Sequence, residues 1–253
     1  MAAGILAIGF MLIATLFPVG MKMTATATER TVASVAADEA FAKIRLYGVN
    51  LAVLAVSGLD DFYSISDPCI FSADEFGYPS ADNISSEEKR YFWSALCGNP
   101  NGTLVPVTVF ISRKADAGAK FPYQNPVTSE WESISYPKPI QIVRVNDPDV
   151  QDYFTNEIDV HADNAALAKY VVAGSIIIDN KTGLRMTVLT REQADSVVEM
   201  DRRRLILADA VEEALLGNSF WVIPPAVRNA LTDPPTVGGR NPCVGVYQRV
   251  IGF

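Results

Sequence analysis

The feature that most constrains this chain is its opening run, Met1 to Met21 (MAAGILAIGFMLIATLFPVGM), which carries no charge; the first charged residue is Lys22. Gly4, Gly9, Thr15, Pro18 and Gly20 interrupt the run, and every other position is apolar. About 20 apolar residues suffice for a helix to cross a ~30 Å hydrocarbon layer, so the run is long enough to span a bilayer. A secretory signal peptide begins with a basic segment, and no basic residue precedes this run. A buried core helix is the other competitor, but Pro18 would cost about 3 kcal/mol in the interior of a soluble helix. Such a break is better tolerated where neighbouring helices satisfy the freed carbonyl.

Helical pattern continues past the run. From Thr24 the sequence is rich in Ala, Thr and Val, and Val32, Val35, Ala36, Ala40, Ile44, Tyr47, Leu51 and Leu54 recur mostly at three- and four-residue steps, which predicts one apolar face. Glu39 and Lys43 form an i, i+4 pair in the favourable order. Gly48 and Gly58 are both suited to end the helix. Unbroken, such a helix has about 50 residues and a length of about 75 Å, a rod that suits filaments better than globular domains. Residues 1–59 are therefore read as a stem and residues 60–253 as a head.

The head reads as β. Tyr91–Cys97 is an aromatic-rich strand or short buried segment. Leu104–Ser112 alternates Val105, Val107, Val109 and Ile111 on one face, with Pro106 assigning it to an edge or a bulge. Ile140–Val145, Ser196–Met200, Arg204–Leu207, Phe220–Ile223 and Cys243–Phe253 are further strands. Ser175–Leu189 is a hairpin in which Gly183 supplies the positive φ of the turn. Short strands separated by turns predict an antiparallel meander. The expected fold class is α+β: a long N-terminal α-helix, apolar and then amphipathic, leading into a mainly antiparallel β head domain.

Charge is uneven. Residues 1–59 have a net charge of +1 and residues 60–253 one of −9. An acidic head argues against nucleic acid, whose recognition needs clustered basic groups. Cys69, Cys97 and Cys243 are too far apart in sequence for a metal motif. In an exported head one disulfide is expected; Cys69 with Cys97 closes the shortest loop, and the other two pairings stay open. His161 is the only histidine and reads as a solvent-facing loop residue, which removes HExxH-type zinc sites. Ser135-Tyr136-Pro137-Lys138 matches Ser-x-x-Lys, but Pro137 and Pro139 oppose the helical turn that this chemistry needs. Asp147, Asp149 and Asp152, with Glu157, Asp159 and Asp163 nearby, are an oxygen-rich candidate for Ca²⁺ but lack the EF-hand glycine and closing glutamate, so a solvated acidic loop is the preferred reading. Asn83, Asn101 and Asn180 stand in formal glycosylation triplets. No nucleotide-binding or hydrolase-elbow motif occurs, and neither a cofactor nor a catalytic activity is expected.

The segment Gly4-Ile-Leu-Ala-Ile-Gly9-Phe-Met-Leu-Ile-Ala-Thr-Leu-Phe-Pro18 resembles the N-terminal helix of type IV pilins and of the pseudopilins of type II secretion. Those helices carry a glycine near the middle of an apolar stretch, then a proline, then an Ala/Thr-rich amphipathic continuation. The resemblance covers residues 1–45 and implies a structural subunit of an extracellular or periplasmic filament. Its helix would sit in the inner membrane before assembly, then pack with copies of itself through Gly4, Ala7, Gly9, Phe10, Ile13 and Pro18. Its partners would be further copies, the membrane and a pilus or secretion assembly machinery. Prepilins also carry a basic leader ending in glycine, followed by a glutamate that registers neighbouring subunits. Aligning on Gly9 and Pro18 implies a short segment upstream of Met1, so the glutamate's role falls on no position of this sequence. The alternative expectation is a single-pass, membrane-anchored extracytoplasmic binding domain that does not polymerise.

Overall fold

A computed structural model describes residues 2–50, 61–65, 71–80, 84–85, 88–99, 101, 103–114, 116, 118–125, 128, 130–145, 154–161, 164, 166–193, 203–212, 215–229 and 235–253, with backbone alone at residues 2–9, 12, 13, 73, 154, 193 and 203. The fold is α+β, a long helix followed by a mostly antiparallel β domain. Helix α1 (Ala2–Tyr47) has 46 residues. It ends at Gly48, whose φ of 76° lets its N–H turn back to the Ile44 carbonyl at 3.0 Å. This is the left-handed glycine stop that satisfies an otherwise orphaned carbonyl. The predicted extension through Leu51 and Leu54 lies outside the described residues.

Among the described residues the strands are β1 (Tyr63–Ser64), β2 (Gly77–Tyr78), β3 (Tyr91–Cys97), β4 (Leu104–Arg113), β5 (Phe121–Gln124), β6 (Trp131–Ile134), β7 (Ile140–Val143), β8 (Phe154–Val160), β9 (Ile176–Asp179), β10 (Arg185–Gln193), β11 (Arg203–Glu212), β12 (Ser219–Val222), β13 (Val227–Asn229), β14 (Thr236–Val237) and β15 (Cys243–Gly252). One sheet has the order β1-β3-β4-β15, with β2 also paired to β3. The chain leaves this sheet after β4 and returns only with its last strand, so the arrangement is not the simple meander the turn spacing suggests.

The lower half of α1 lies on the first sheet. Ala33, Ala36, Ala37, Ala40, Phe41 and Ile44 are buried against Val105, Val107, Val109 and Ile111 of β4, with Trp93, Ala95 and Ile251 in the same cluster. Four alanines bring the helix backbone close to the sheet, while Phe41 and Ile44 fill the remaining space. Burying each of the two larger side chains contributes about 1.5–3 kcal/mol. The buried stripe is rotated from the predicted one, for Val35 and Tyr47 face outward and are half exposed.

Pro106 lies on an interior strand and not at an edge, paired with Val250 of β15. Its carbonyl accepts from the Gly98 N–H at 2.8 Å. Because N–H and C=O of one residue point to the same side of a strand, the missing donor falls beyond the end of β3, and the β15 ladder loses nothing.

The second sheet has the order β7-β12-β9-β10-β11-β8. Its two outer strands meet through a bridge between Arg144 and Val160. Bonds from Val145 N–H to the Asp159 carbonyl (2.8 Å) and from His161 N–H to the Val143 carbonyl (3.1 Å) reinforce that contact. The sheet thus closes on itself as a small barrel, helped by register shifts in the β10–β11 and β11–β8 pairs, which bend a sheet. Its interior holds Ile142, Val160, Ile177, Val188, Leu205 and Phe220, with Tyr170 and Ala168 from a short 3₁₀ turn. Arg144 is buried and donates to the Gly217 and Leu216 carbonyls, which ties off the closure.

A third cluster joins the two β units. Leu96, Phe110 and Val246 of the first sheet, with Phe62 just before β1, pack on Ile178 of β9 and Ile223 just after β12. The β9–β10 hairpin is the pivot of this seam. Asp179 is buried, and its carboxylate accepts from Lys181 N–H (3.1 Å), Thr182 N–H (2.7 Å) and Gly217 N–H (2.7 Å). Gly183 has φ 69°, and a Cβ there would stand 2.5 Å from the Phe62 ring. Replacing Gly183→Ala is expected to combine left-handed strain with a clash at the seam, a loss of about 2–4 kcal/mol. Denaturant unfolding of the variant against the parent measures it; an unchanged midpoint would show that the seam does not depend on this glycine.

Candidate functional site

The upper part of α1 leaves the head altogether. Phe10, Leu16 and Phe17 are 66%, 65% and 67% exposed, and Met11, Val19, Met21 and Met23 are also largely uncovered. At 100° per residue these side chains fall on every side of the helix and not on one stripe. A helix that is apolar all round is normally buried, and apolar surface of this extent marks an interaction site. The uncovered stretch ends where Glu29 pairs with Arg113 at the end of β4, so about 40 Å of rod projects from the head at 1.5 Å per residue.

Four threonine hydroxyls along the rod are satisfied within the helix. The hydroxyls of Thr24, Thr26, Thr28 and Thr31 donate to the carbonyls four residues earlier, at 3.0, 2.9, 2.9 and 3.0 Å. Such back-bonding lets a threonine sit in a dry environment without an unpaired donor. Gly20 leaves a notch beside Phe17, Met21 and Thr24, where nothing lies within 4 Å of the missing Cβ. Small residues at such a place let two helices approach closely. Pro18 lies inside the helix and cannot donate to the carbonyl of Ala14. Of the other predicted packing residues, Gly4, Ala7, Gly9 and Ile13 are on α1, with only their backbone described. Among the described residues, no helix is long and apolar enough to cross a membrane.

Where rod meets head, Glu75 acts as a hub. Lys43 Nζ lies 3.0 Å from its carboxylate and 2.8 Å from its carbonyl, and reaches Glu39 at 3.4 Å. The same carbonyl accepts from the Trp93 indole N–H at 2.8 Å, and the carboxylate accepts from the Tyr47 hydroxyl at 3.1 Å. Ser80 donates to Glu39. On the other flank Asp38 pairs with Arg249 at 2.6 Å, whose guanidinium also lies 4.6 Å from the Phe41 ring centre. The i, i+4 spacing of Glu39 and Lys43 was legible in sequence; their cross-chain partner Glu75 was not, since nothing local signals it.

The remaining candidates are placed as follows. Asp147, Asp149 and Asp152 lie outside the described residues. Glu157 and Asp159, read as part of a solvated loop, belong instead to strand β8. They flank Arg204 of β11 at 3.0 Å each, so cross-strand ion pairing explains their charge. No group of three or more His, Cys, Asp or Glu side chains suited to a metal occurs among the described residues. His161 is exposed at the end of β8.

Lys138 of the Ser-x-x-Lys match lies 4.6 Å from the Tyr123 ring centre and 5.5 Å from that of Tyr136. Cys97 is buried at the end of β3, and Cys69 lies outside the described residues. Cys243, half-buried at the start of β15, carries a free thiol that burial pushes up to about 12. Asn180 is buried and accepts from the Trp221 indole, so a glycan has no place on it in the folded chain. Asn101 is exposed. No protein-family model, curated protein or solved structure matches this chain.

The hydrogen bond from Lys43, above all, holds the Glu75 carboxyl below the ordinary carboxylate range. A carboxylate lowered by folding stabilises the fold above its unfolded pKa and loses that contribution as pH falls through the folded value. Acidification below about pH 4.5 is therefore expected to weaken the rod–head junction. A Lys43→Met variant should be less stable at neutral pH by about 1 kcal/mol and should lose less on acidification. Urea unfolding of both proteins across pH 3–7 gives the comparison, and parallel acid limbs would show that the hub contributes nothing.

Proposed function

We propose that this chain is a structural subunit of a type IV pilus-like filament, extracellular or periplasmic, without catalytic activity or cofactor. The observation that carries the reading is the division of α1 into two environments. Its lower half is clamped to a folded head, and its upper half is apolar on every side with its threonine hydroxyls internally bonded. One partner helix could cover only one side of such a rod. Full coverage requires either lipid or several neighbouring helices, and a filament subunit uses both in turn. It is held in the inner membrane first and then packed among copies of itself, with the acidic heads forming the filament surface at the cell exterior. The notch at Gly20 and the small residues Gly4, Ala7 and Gly9 fit close helix approach, while Pro18 supplies a local break that neighbouring helices can satisfy. The likeness of residues 1–45 to pilin and pseudopilin helices supports the same reading. An assembly machinery is the further partner it implies, and the acidic head makes nucleic acid an unsuitable one.

The alternative, a single-pass anchor carrying a binding domain, uses the apolar residues equally well but gives no role to the threonine-lined stretch between lipid and head. Electron microscopy of surface material shed by cells producing the chain separates the two. Filaments are expected from the parent. Ala7→Glu, Gly9→Arg and Phe17→Glu should each abolish them while the head keeps its thermal melt and circular dichroism. Normal filament yield from these variants would show that the rod is not the packing core. The codons upstream of Met1 give a second check, since a basic leader ending in glycine and followed by a glutamate belongs to the filament reading alone.

A further inference from the structure

Where the edge of the first sheet at β1 meets the barrel strands β7 and β12 and the β5–β6 hairpin, the surface holds a cleft of about 330 Å³. This lies at the small end of the ~300–1,000 Å³ typical of ligand sites. Its walls include two aromatic residues, Tyr123 and Trp221, and four carboxamides, Gln124, Asn125, Gln141 and Asn164. No carboxylate, ammonium or guanidinium is among its described lining residues, although residues 60–253 carry a net charge of −9.

Several of these groups are fixed from behind. The Trp221 indole N–H donates to Asn180 Oδ1 at 2.5 Å, and Asn180 is itself only 4% exposed. Gln141 gives its amide N–H to Ser219 Oγ at 2.7 Å, which leaves its carbonyl oxygen for an incoming donor. Asn125 donates to Glu132 at 2.9 Å. Lys138 braces the Tyr123 ring at 4.6 Å. Orienting a group before binding removes part of the ordering cost that binding otherwise carries.

We propose that this cleft binds a neutral saccharide segment. Carboxamides combine donor and acceptor atoms without charge, which suits the paired donor and acceptor character of sugar hydroxyls. The aromatic faces suit the apolar C–H face of a pyranose ring, and an indole with its polar end already satisfied presents mainly that flat surface. A charged ligand would find no counter-ion among the described lining residues. A peptide adding as a strand to β7 would meet an edge already taken at Val143–Val145 by β8. The proposal uses only the β units and stands or falls independently of filament assembly.

The test is a titration of the full chain in detergent with maltohexaose, cellohexaose, chitohexaose and a β-1,4-galactohexaose, each to about 10 mM, a range that captures millimolar affinity. Binding is followed by saturation-transfer NMR and by tryptophan fluorescence. Trp93 is fully buried and Trp131 is packed on Tyr170, so Trp221 is the tryptophan on the cleft wall and the expected reporter. At least one neutral hexasaccharide should bind. Gln141→Ala and Gln124→Ala, at exposed positions, should each weaken it about tenfold, or about 1.4 kcal/mol, with circular dichroism unchanged. Thr190→Ala, exposed on β10, should bind as the parent does. The proposal is overturned if none of the four binds, if both glutamine variants bind like the parent, or if a heparin hexasaccharide or an acidic peptide binds in preference.

Discussion

Everything in this structure depends on one contact, the burial of the Ala33–Ile44 face of α1 on the valine row of β4. Without it the rod would be a long helix with nothing to hold it, and the first sheet would expose Val105, Val107, Val109 and Ile111 to solvent. The contact is built for close approach: alanines on the helix, β-branched residues on the strand, and aromatic rings of Phe76, Trp93 and Tyr136 closing one end. Charges then fix the helix on the sheet instead of driving its association. Lys43 with Glu75, Asp38 with Arg249 and Glu29 with Arg113 lie around the edges of the apolar contact, where partly exposed pairs are worth little individually but oppose sliding and rotation.

The same contact explains what local pattern made legible and what it did not. A helix from the first residues into the forties could be read from its apolar and Ala-rich pattern despite Pro18, but its end could not, since Gly48 and Gly58 were equally suited to stop it. The buried face was read in part: Ala36, Ala40 and Ile44 are in the core, but Val35 and Tyr47 were named where Ala33, Ala37 and Phe41 are buried. In a helix rich in alanine and valine, apolar periodicity has little contrast, and the sheet chooses the smaller residues because they permit closer packing. β3, β4, β9, β10, β12 and β15 were legible because each buries an apolar run or alternation. β8 was not, because Glu157 and Asp159 make it look solvated until Arg204 of β11 is beside them. Nor could the barrel be foreseen: its closure rests on Arg144 and Val160, and no local signal encodes a register set by strands distant in sequence. The cleft was missed for the same reason, since Tyr123, Gln141 and Trp221 come from three elements far apart in the chain.

The seam between the two β units shows how few positions make them one head. Phe62 enters from the segment before β1, and its backbone N–H bonds to the Asn180 carbonyl at 2.8 Å while its ring lies over Gly183. Asn180 in turn receives the Trp221 indole and donates its own N–H to the Ser219 carbonyl at 3.0 Å. The turn that shapes the β9–β10 hairpin is therefore also the surface on which the first sheet rests. This gives Asp179 and Gly183 a role beyond the hairpin itself: the buried carboxylate satisfies the turn's N–H groups, and the missing Cβ admits the ring.

α1 has two kinds of surface, and its sequence changes character between them. Below Glu29 one face, Ala33, Ala36, Ala37, Ala40, Phe41 and Ile44, is buried, and charged residues such as Asp38 and Arg45 stand on the remaining surface, the pattern of a helix lying on a sheet. Above Lys22 there is no charge, and bulky apolar groups point in every direction. Between them lies the threonine-rich stretch, whose hydroxyls bond back to the helix and so place no demand on whatever surrounds them. A soluble helix gains little from such self-sufficiency, because water would satisfy those groups equally well. It matters where water is excluded, and that is the physical reason for reading the rod as a packing element whose surroundings are other helices or lipid.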